Sequence, residues 1–371
     1  AGAIEAVAST GGQLMPPVMG AAAFVMAEIV GVPYVEVMST AILPALLFFI
    51  AAFFMVHLQA VKSGILPAKV RQRDDRSLGL LLWQGLPYIA TFFTLIVLML
   101  IGYSPFKASM WAMLVLMGSD VIKNRKIDRA FFNKLCGGIS QGALSVVTLS
   151  AACAAAGIIS GTLGITGLGS KIALLIDVAS NGFLPLALFF TMITSIILGM
   201  GLPTTAAYLI LATVVAPALV NLGVPVLTAH FFVFYYGCIS TITPPVALAA
   251  YVAGGIAGAD ANKVGWTAAA YGATSFVLPF AFCFAPGLLL QADLVGNLVA
   301  IVSSLVAIAA ISVGVIGCFN QSVSPFMRVL FLVAGLLLLV QGWMMMLCGG
   351  ILLALLVIYL KLNDKQLVKG E

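Results

Sequence analysis

Residues 9–17 read STGGQLMPP, and residues 240–245 answer them with STITPP. Both stretches are small and hydroxyl-rich, and both end in a Pro-Pro pair inside apolar sequence. Proline lacks a backbone N–H and collides with the preceding helical turn. Each stretch therefore breaks a helix and leaves carbonyls and hydroxyls without helical partners. At membrane depth, free backbone is tolerated only where it is buried in protein or lines a polar cavity. One such break would pass as a structural kink. Two, in corresponding positions of two halves, point to the binding site of a transporter with inverted repeats.

The composition supports a membrane setting. Of 371 residues, 63% are hydrophobic and 8% charged, against about 25% charged in a soluble domain; the mean hydropathy is +1.19. The apolar runs are long and continuous rather than alternating, which excludes a porin-like barrel. The fold class is all-α, a polytopic membrane protein. The net charge of +5 sits in short loops, as the positive-inside bias produces, and does not suggest nucleic acid. The six cysteines are scattered in apolar segments without a CxxC, so neither a disulfide nor a transition-metal site is expected. His57 and His230 are not at metal spacing, and neither a GxSxG nor a Walker A loop occurs. An enzyme is not expected, and an ATP-driven pump would need a separate nucleotide-binding partner. The chain opens at AGAIEAVAS with no visible signal peptide, and is expected to be the later part of a longer polypeptide.

Counting crossings gives the breaks a direction. Residues 37–60 span and run into 61–76, which holds Lys62, Lys69, Arg71, Arg73 and Arg76 and is expected on the cytoplasmic side. Residues 78–101 and 108–122 form an outward and a returning span, ending at a second basic stretch, 123–134; residues 128–133 begin an interfacial helix. Residues 138–159 cross outward, and the Gly-rich stretch 160–181 is external or interfacial. Residues 183–198 and 206–220 flank a tip, GMGLPTT at 199–205, and each limb is shorter than the roughly 20 residues of a full span. They are expected to form a re-entrant hairpin. Residues 231–258 descend through the second break, 268–290 cross outward, 294–316 return, and 326–341 with 343–360 make a last pair. The first break then rises from inside to outside and the second descends, as in an inverted repeat. The corresponding division is 1–60, the end of the first repeat; 61–137, connecting spans and basic loops; 138–290, the second repeat; and 291–371, additional helices.

Hydroxyls, an amide and unwound carbonyls at Ser9, Thr10, Gly11, Gly12 and Gln13, before Pro16 and Pro17, suit a hard monovalent cation. The tip residues Gly199, Gly201, Pro203, Thr204 and Thr205 are expected to reach the second break. The helix that follows would offer N–H groups and a positive dipole end to a carboxylate. Glu5, one turn before Ser9, would accept a proton, bind a cation or sit at an interface. His230 is expected near the outer rim, where a gate with Lys171 and Asp177 is the lesser of its readings. Tyr235 and Tyr236 either hydrogen-bond within the site or pack in the core.

Three stretches carry a resemblance: GAIEAVASTGGQLMPPVMGAAAFVMAE at 2–28, GMGLPTTAAYLILA at 199–212 and ISTITPPVALAAYVAGGIAGAD at 239–260. A fourth, CAAAGIISGTLGITGLGSKIALLI at 153–176, fits the start of a second repeat. Over residues 1–290 the chain resembles the large membrane subunit of tripartite ATP-independent periplasmic (TRAP) transporters, specifically the fused permeases that work with TAXI-type binding proteins. The resemblance implies an elevator-type secondary carrier in a bacterial or archaeal cytoplasmic membrane, without cofactors. It is driven by sodium or protons and receives an organic acid from a periplasmic binding protein. By the matching motifs, one cation falls near Ser9, Thr10, Gly11 and Gly12. A second falls near Gly199, Gly201, Thr204, Thr205, Ser240, Thr241 and Thr243. The substrate lies between the repeats, against Gln13, Pro16, Pro203, Thr204, Pro244 and Pro245, with Glu5 as the proton site if protons couple. The family's small-subunit helices and first hairpin are not in this sequence, and residues 293–371 fall outside the pattern. The competing expectation is a stand-alone divalent-anion/sodium symporter; such carriers show Ser-Asn-Thr at both tips, where this chain has GMGLPTT.

Overall fold

Long apolar runs make the helices of this chain, and a few polar and glycine positions end them. The computed structural model describes residues 1–65, 77–124, 129–319, 321–340 and 342–369. In chain order the helices are α1 (Gly2–Gly12), α2 (Ala21–Val30), α3 (Tyr34–Lys62), α4 (Leu78–Leu100), α5 (Pro105–Asn124) and α6 (Arg129–Ile165). They continue as α7 (Leu168–Ser180), α8 (Leu184–Gly199), α9 (Thr204–Val214), α10 (Ala216–Asn221), α11 (Val226–Ile239) and α12 (Leu248–Ile256). The last are α13 (Ala261–Tyr271), α14 (Leu278–Phe284), α15 (Leu294–Ile316), α16 (Pro325–Leu339) and α17 (Trp343–Lys369). Side-chain oxygens of Ser77, Asp260, Asp293 and Ser324 accept from the first-turn N–H groups of α4, α13, α15 and α16, satisfying donors that a helix start leaves open. Among the described residues there is no β-strand, and six helices are long and apolar enough to cross a bilayer.

The helix α11 is the axis. Every residue from Leu227 to Ile239 is buried, as expected of a helix apolar on all sides. Around it the broken segments pair crosswise. The α1 half of the first break packs on α12 of the second, and α2 packs on α11. The hairpin limbs α8 and α9 pack on each other and on α11. A second, smaller core joins Met55 and Leu58 of α3 to Val313, Phe331, Leu356 and Leu360 of α15 to α17. By contrast, only 6% of the best apolar window of α4, and 6% of that of α6, is buried; these faces are left to lipid or to partners.

Three expectations change in detail. Residues 129–165 form one helix, not an interfacial piece followed by a span; residues 125–128 lie outside the described residues. The single crossing at 268–290 is instead bent by 62° between Ala261–Tyr271 and Ala273–Phe284. Pro279 and Pro286 supply no N–H there, and Gly272 comes so close to the second break that a Cβ would lie 2.9 Å from Ile242 Cδ1. The hairpin forms, but its second limb continues through α10 to 18 residues, so length sets only α8, at 16 residues, below a full span. Residues 66–76 of the basic stretch expected on the cytoplasmic side lie outside the described residues.

Candidate transport site at the helix breaks

The two breaks meet. Thr10 Oγ1 donates to Ala6 O at 2.8 Å, and Thr241 Oγ1 donates to Cys238 O at 2.7 Å. The two hydroxyl oxygens then face each other at 3.5 Å, 231 residues apart in sequence. Either hydroxyl can be the donor across this contact, and each oxygen keeps lone pairs for a further partner. Both residues are buried, so the contact sits in low dielectric, where an unrelieved polar group is costly.

The tip closes on the second break. Gly201 turns the chain from α8 into α9 at φ +76, a backbone conformation open to glycine. A Cβ on Gly199 would lie 2.8 Å from Ser240 Oγ, so only a glycine lets the tip seat here. Ser240 Oγ donates to Gly237 O at 2.8 Å and Thr243 Oγ1 to Ile239 O at 2.7 Å. The carbonyls at the end of α11 are thereby occupied by the break's own hydroxyls, whose oxygens keep lone pairs.

Between α1, the tip and α12 lies a cavity of about 810 Å³. Glu5, Ser9, Gln13, Pro203, Thr204 and Thr241 are the sequence-singled residues on its wall. Ser9 Oγ donates to Glu5 Oε1 at 2.9 Å. The starts of α9, at Thr204, and of α12, at Leu248 and Ala249, lie at the cavity. Neither has a side-chain cap, so first-turn N–H groups and positive dipole ends are left open beside this space. Helix starts, hydroxyls and one carboxylate thus share a compartment that fits both an anionic group and a cation.

Other singled residues do not line the cavity. Gly11 packs beneath Phe48, Gly12 and Gly201 are exposed, Thr205 and Ser240 are buried behind the wall, and Thr243 is partly buried. Pro16, Pro244 and Pro245 are likewise off it. Pro17 O and Pro245 O each accept a tyrosine hydroxyl, from Tyr34 at 3.0 Å and Tyr251 at 2.6 Å, and both Pro-Pro bonds are cis. Tyr235 and Tyr236 are core residues whose hydroxyls go to Pro44 O and Phe276 O. His230 is buried in α11 with Nδ1 2.8 Å from Tyr208 OH, while Lys171 and Asp177 lie exposed on α7; the rim-gate grouping is not assembled.

Sequence reasoning missed the apolar wall contributed by α12: Ala249, Val252, Ala253, Ile256 and Ala257. Its only signal is helical spacing, which reads equally as core. It also missed Thr191 and Ser195 of α8, fully buried with hydroxyls that have no hydrogen-bond partner among the described residues. They stand one and two turns before Gly199 on the same face.

The family model described as tripartite ATP-independent periplasmic transporter, DctM component, matches residues 1–296. No curated protein and no solved structure matches the chain.

Proposed function

The chain belongs to the DctM family, the membrane component of tripartite ATP-independent periplasmic transporters, and from that membership we propose that it performs cation-coupled uptake of an organic acid delivered by a periplasmic binding protein. The observation that carries the reading is the Thr10–Thr241 contact beside a cavity where two uncapped helix starts converge. The carboxylate of the substrate docks on the N–H groups that open α9 and α12. The coupling ion, sodium or a proton, docks where hydroxyls and helix ends supply oxygen: around Thr10 and Thr241 with Ser9, or on Glu5. A helix start favours an anion by about 0.3–2 kcal/mol. That is modest for a carboxylate leaving water, so the co-bound cation must supply much of the remainder. At about 8 Å and an effective dielectric of ~20, a unit cation and a carboxylate attract by roughly 2 kcal/mol, about 30-fold in mutual affinity. The same attraction couples the two bindings, since each ligand enters more readily when the other is present.

The interlocked breaks and hairpin form one body suited to an elevator-type movement, and the partner is a TAXI-type binding protein. The fit to a cytoplasmic membrane of a bacterium or archaeon follows from the periplasmic partner. The test is uptake into proteoliposomes with the binding protein present or absent and with sodium and pH gradients imposed separately. Uptake that needs the binding protein and one of the gradients supports the proposal. Uptake indifferent to both gradients refutes it, and gradient-driven uptake without the binding protein favours a stand-alone symporter.

A further inference from the structure

Away from the breaks, beyond most of the family-matched region, four helices enclose an apolar groove. The groove, about 390 Å³, is lined by Phe54 of α3, Leu305 to Val313 of α15, Phe331 of α16, and Leu353 and Val357 of α17, with Phe319 at its end. It shares Val306 with a second apolar groove of about 540 Å³ that continues toward Leu298 and Trp343. Each flanking helix turns basic just past its groove residues. On α3, Phe54, Leu58 and Lys62 follow at four-residue spacing, so they lie on one face. Leu353, Val357 and Lys361 do the same on α17, and Arg328 stands one turn from Phe331 on α16.

Two of these cations reach the carboxyl end of α15. Lys62 Nζ donates to Ile316 O at 2.6 Å. Arg328 donates to Gly314 O at 2.9 Å through Nε and to Val315 O at 2.6 Å through Nη2. Glycine makes the approach possible: a Cβ on Gly317 would lie 2.9 Å from Arg328 Nε. Gln321 Nε2 donates to Leu360 O at 3.0 Å, which ties the Leu360 turn of α17, followed by Lys361, to the loop after α15. An ammonium has three donors and a guanidinium five, so both capping cations keep N–H groups to spare, and Lys62 and Lys361 are exposed. The groove wall contains no carboxylate.

We propose that this groove binds one anionic phospholipid, its acyl chain along α15 and its phosphate among Lys62, Arg328 and Lys361. The dimensions agree. Leu305 to Val313 covers about 12 Å of helix at 1.5 Å per residue, close to the ~15 Å depth of one leaflet. Charge selects the lipid, because an apolar groove alone would take any acyl chain, whereas three cations at its mouth favour a negative headgroup. The groove joins α3, which carries the first break's packing partner Phe48, to the added helices, so an occupied groove ties the two cores together.

The test uses the full chain in lipid nanodiscs with spin-labelled phosphatidylglycerol or phosphatidylcholine, reading the motionally restricted fraction. The expected result is a preference for phosphatidylglycerol. Lys62→Gln with Lys361→Gln, both at exposed positions, lowers that preference at least fivefold, about the factor one basic side chain contributes near an anionic headgroup. Ala309→Trp, which fills the groove, lowers retention of both lipids. The proposal is overturned if the unmodified protein shows no preference or if the double lysine variant keeps it. It is overturned equally if Ala309→Trp changes only the oligomeric state, which would place a second copy in the groove.

Discussion

The two Pro-Pro breaks are near copies in sequence and differ in what surrounds them. At the first, the glycine that follows the hydroxyl pair is covered by an aromatic ring: a Cβ on Gly11 would meet Phe48 Cε1 at 2.5 Å. At the second, the covering element is a glycine of the hairpin tip, Gly199, lying against Ser240. The first break is thus held by a side chain of a long membrane helix, α3, and the second by the glycine backbone of the hairpin tip. The polar contact of Thr10 with Thr241 joins the two environments. Similar residues meet different constraints when one neighbour is a packed ring and the other a glycine turn.

That comparison can be broken most forcefully at the tip. Gly199→Leu drives a side chain into Ser240, and overpacking of this kind costs about 1–3 kcal/mol. If the tip must seat for binding, substrate affinity falls about 5- to 150-fold, while Gly11→Ala at the ring-covered break lowers thermal stability and leaves affinity nearly intact. Equal losses of affinity in the two variants would erase the distinction. Next in size is Thr241→Val. Removing a hydroxyl that serves a charged ligand costs roughly 1.5–3 kcal/mol, so the half-saturating cation concentration for uptake rises about 10- to 150-fold. Thr243→Val, whose hydroxyl is bonded to Ile239 O and lies off the cavity, shifts it less than about twofold. A reversed order would move the cation to the far side of the break.

Glu5→Gln tests the first break's carboxylate. It keeps a partner for Ser9 but not the charge, and uptake driven by a pH gradient falls about fivefold, the scale of one hydrogen bond of ~1 kcal/mol. Uptake driven by sodium alone is the control. An unchanged pH response would remove Glu5 from coupling. Smallest are Tyr34→Phe and Tyr251→Phe, each deleting the hydroxyl that satisfies a Pro-Pro carbonyl. Each costs about 1 kcal/mol, read as a lowered unfolding temperature, with Tyr34 the costlier because it is the more buried.

Much of the fold was legible because helix length, proline and glycine act locally. The starts of α3, α15 and α17 fall within three residues of the spans drawn from hydropathy, and the hairpin tip lies where GMGLPTT places it. The bend after Tyr271 was not legible, because it depends on Gly272 approaching Ile242 from another part of the chain. Within the site, Ser9, Gln13, Thr204 and Thr241 stood out because they are polar in apolar sequence. The α12 wall did not, because alanines and valines at helical spacing look the same facing a cavity as facing a core.

By itself the sequence determined that the chain is helical, that it belongs in a membrane, and that it breaks twice with hydroxyls at each break. Those properties follow from hydropathy and from proline's missing N–H, which act on a few neighbouring residues. Only the tertiary structure decided that Thr10 meets Thr241, that the starts of α9 and α12 lie at one cavity, and that Lys62 and Arg328 meet at the end of α15. Each depends on which helices pack crosswise, and so on side-chain volume and on glycines that admit close approach between residues far apart in the chain.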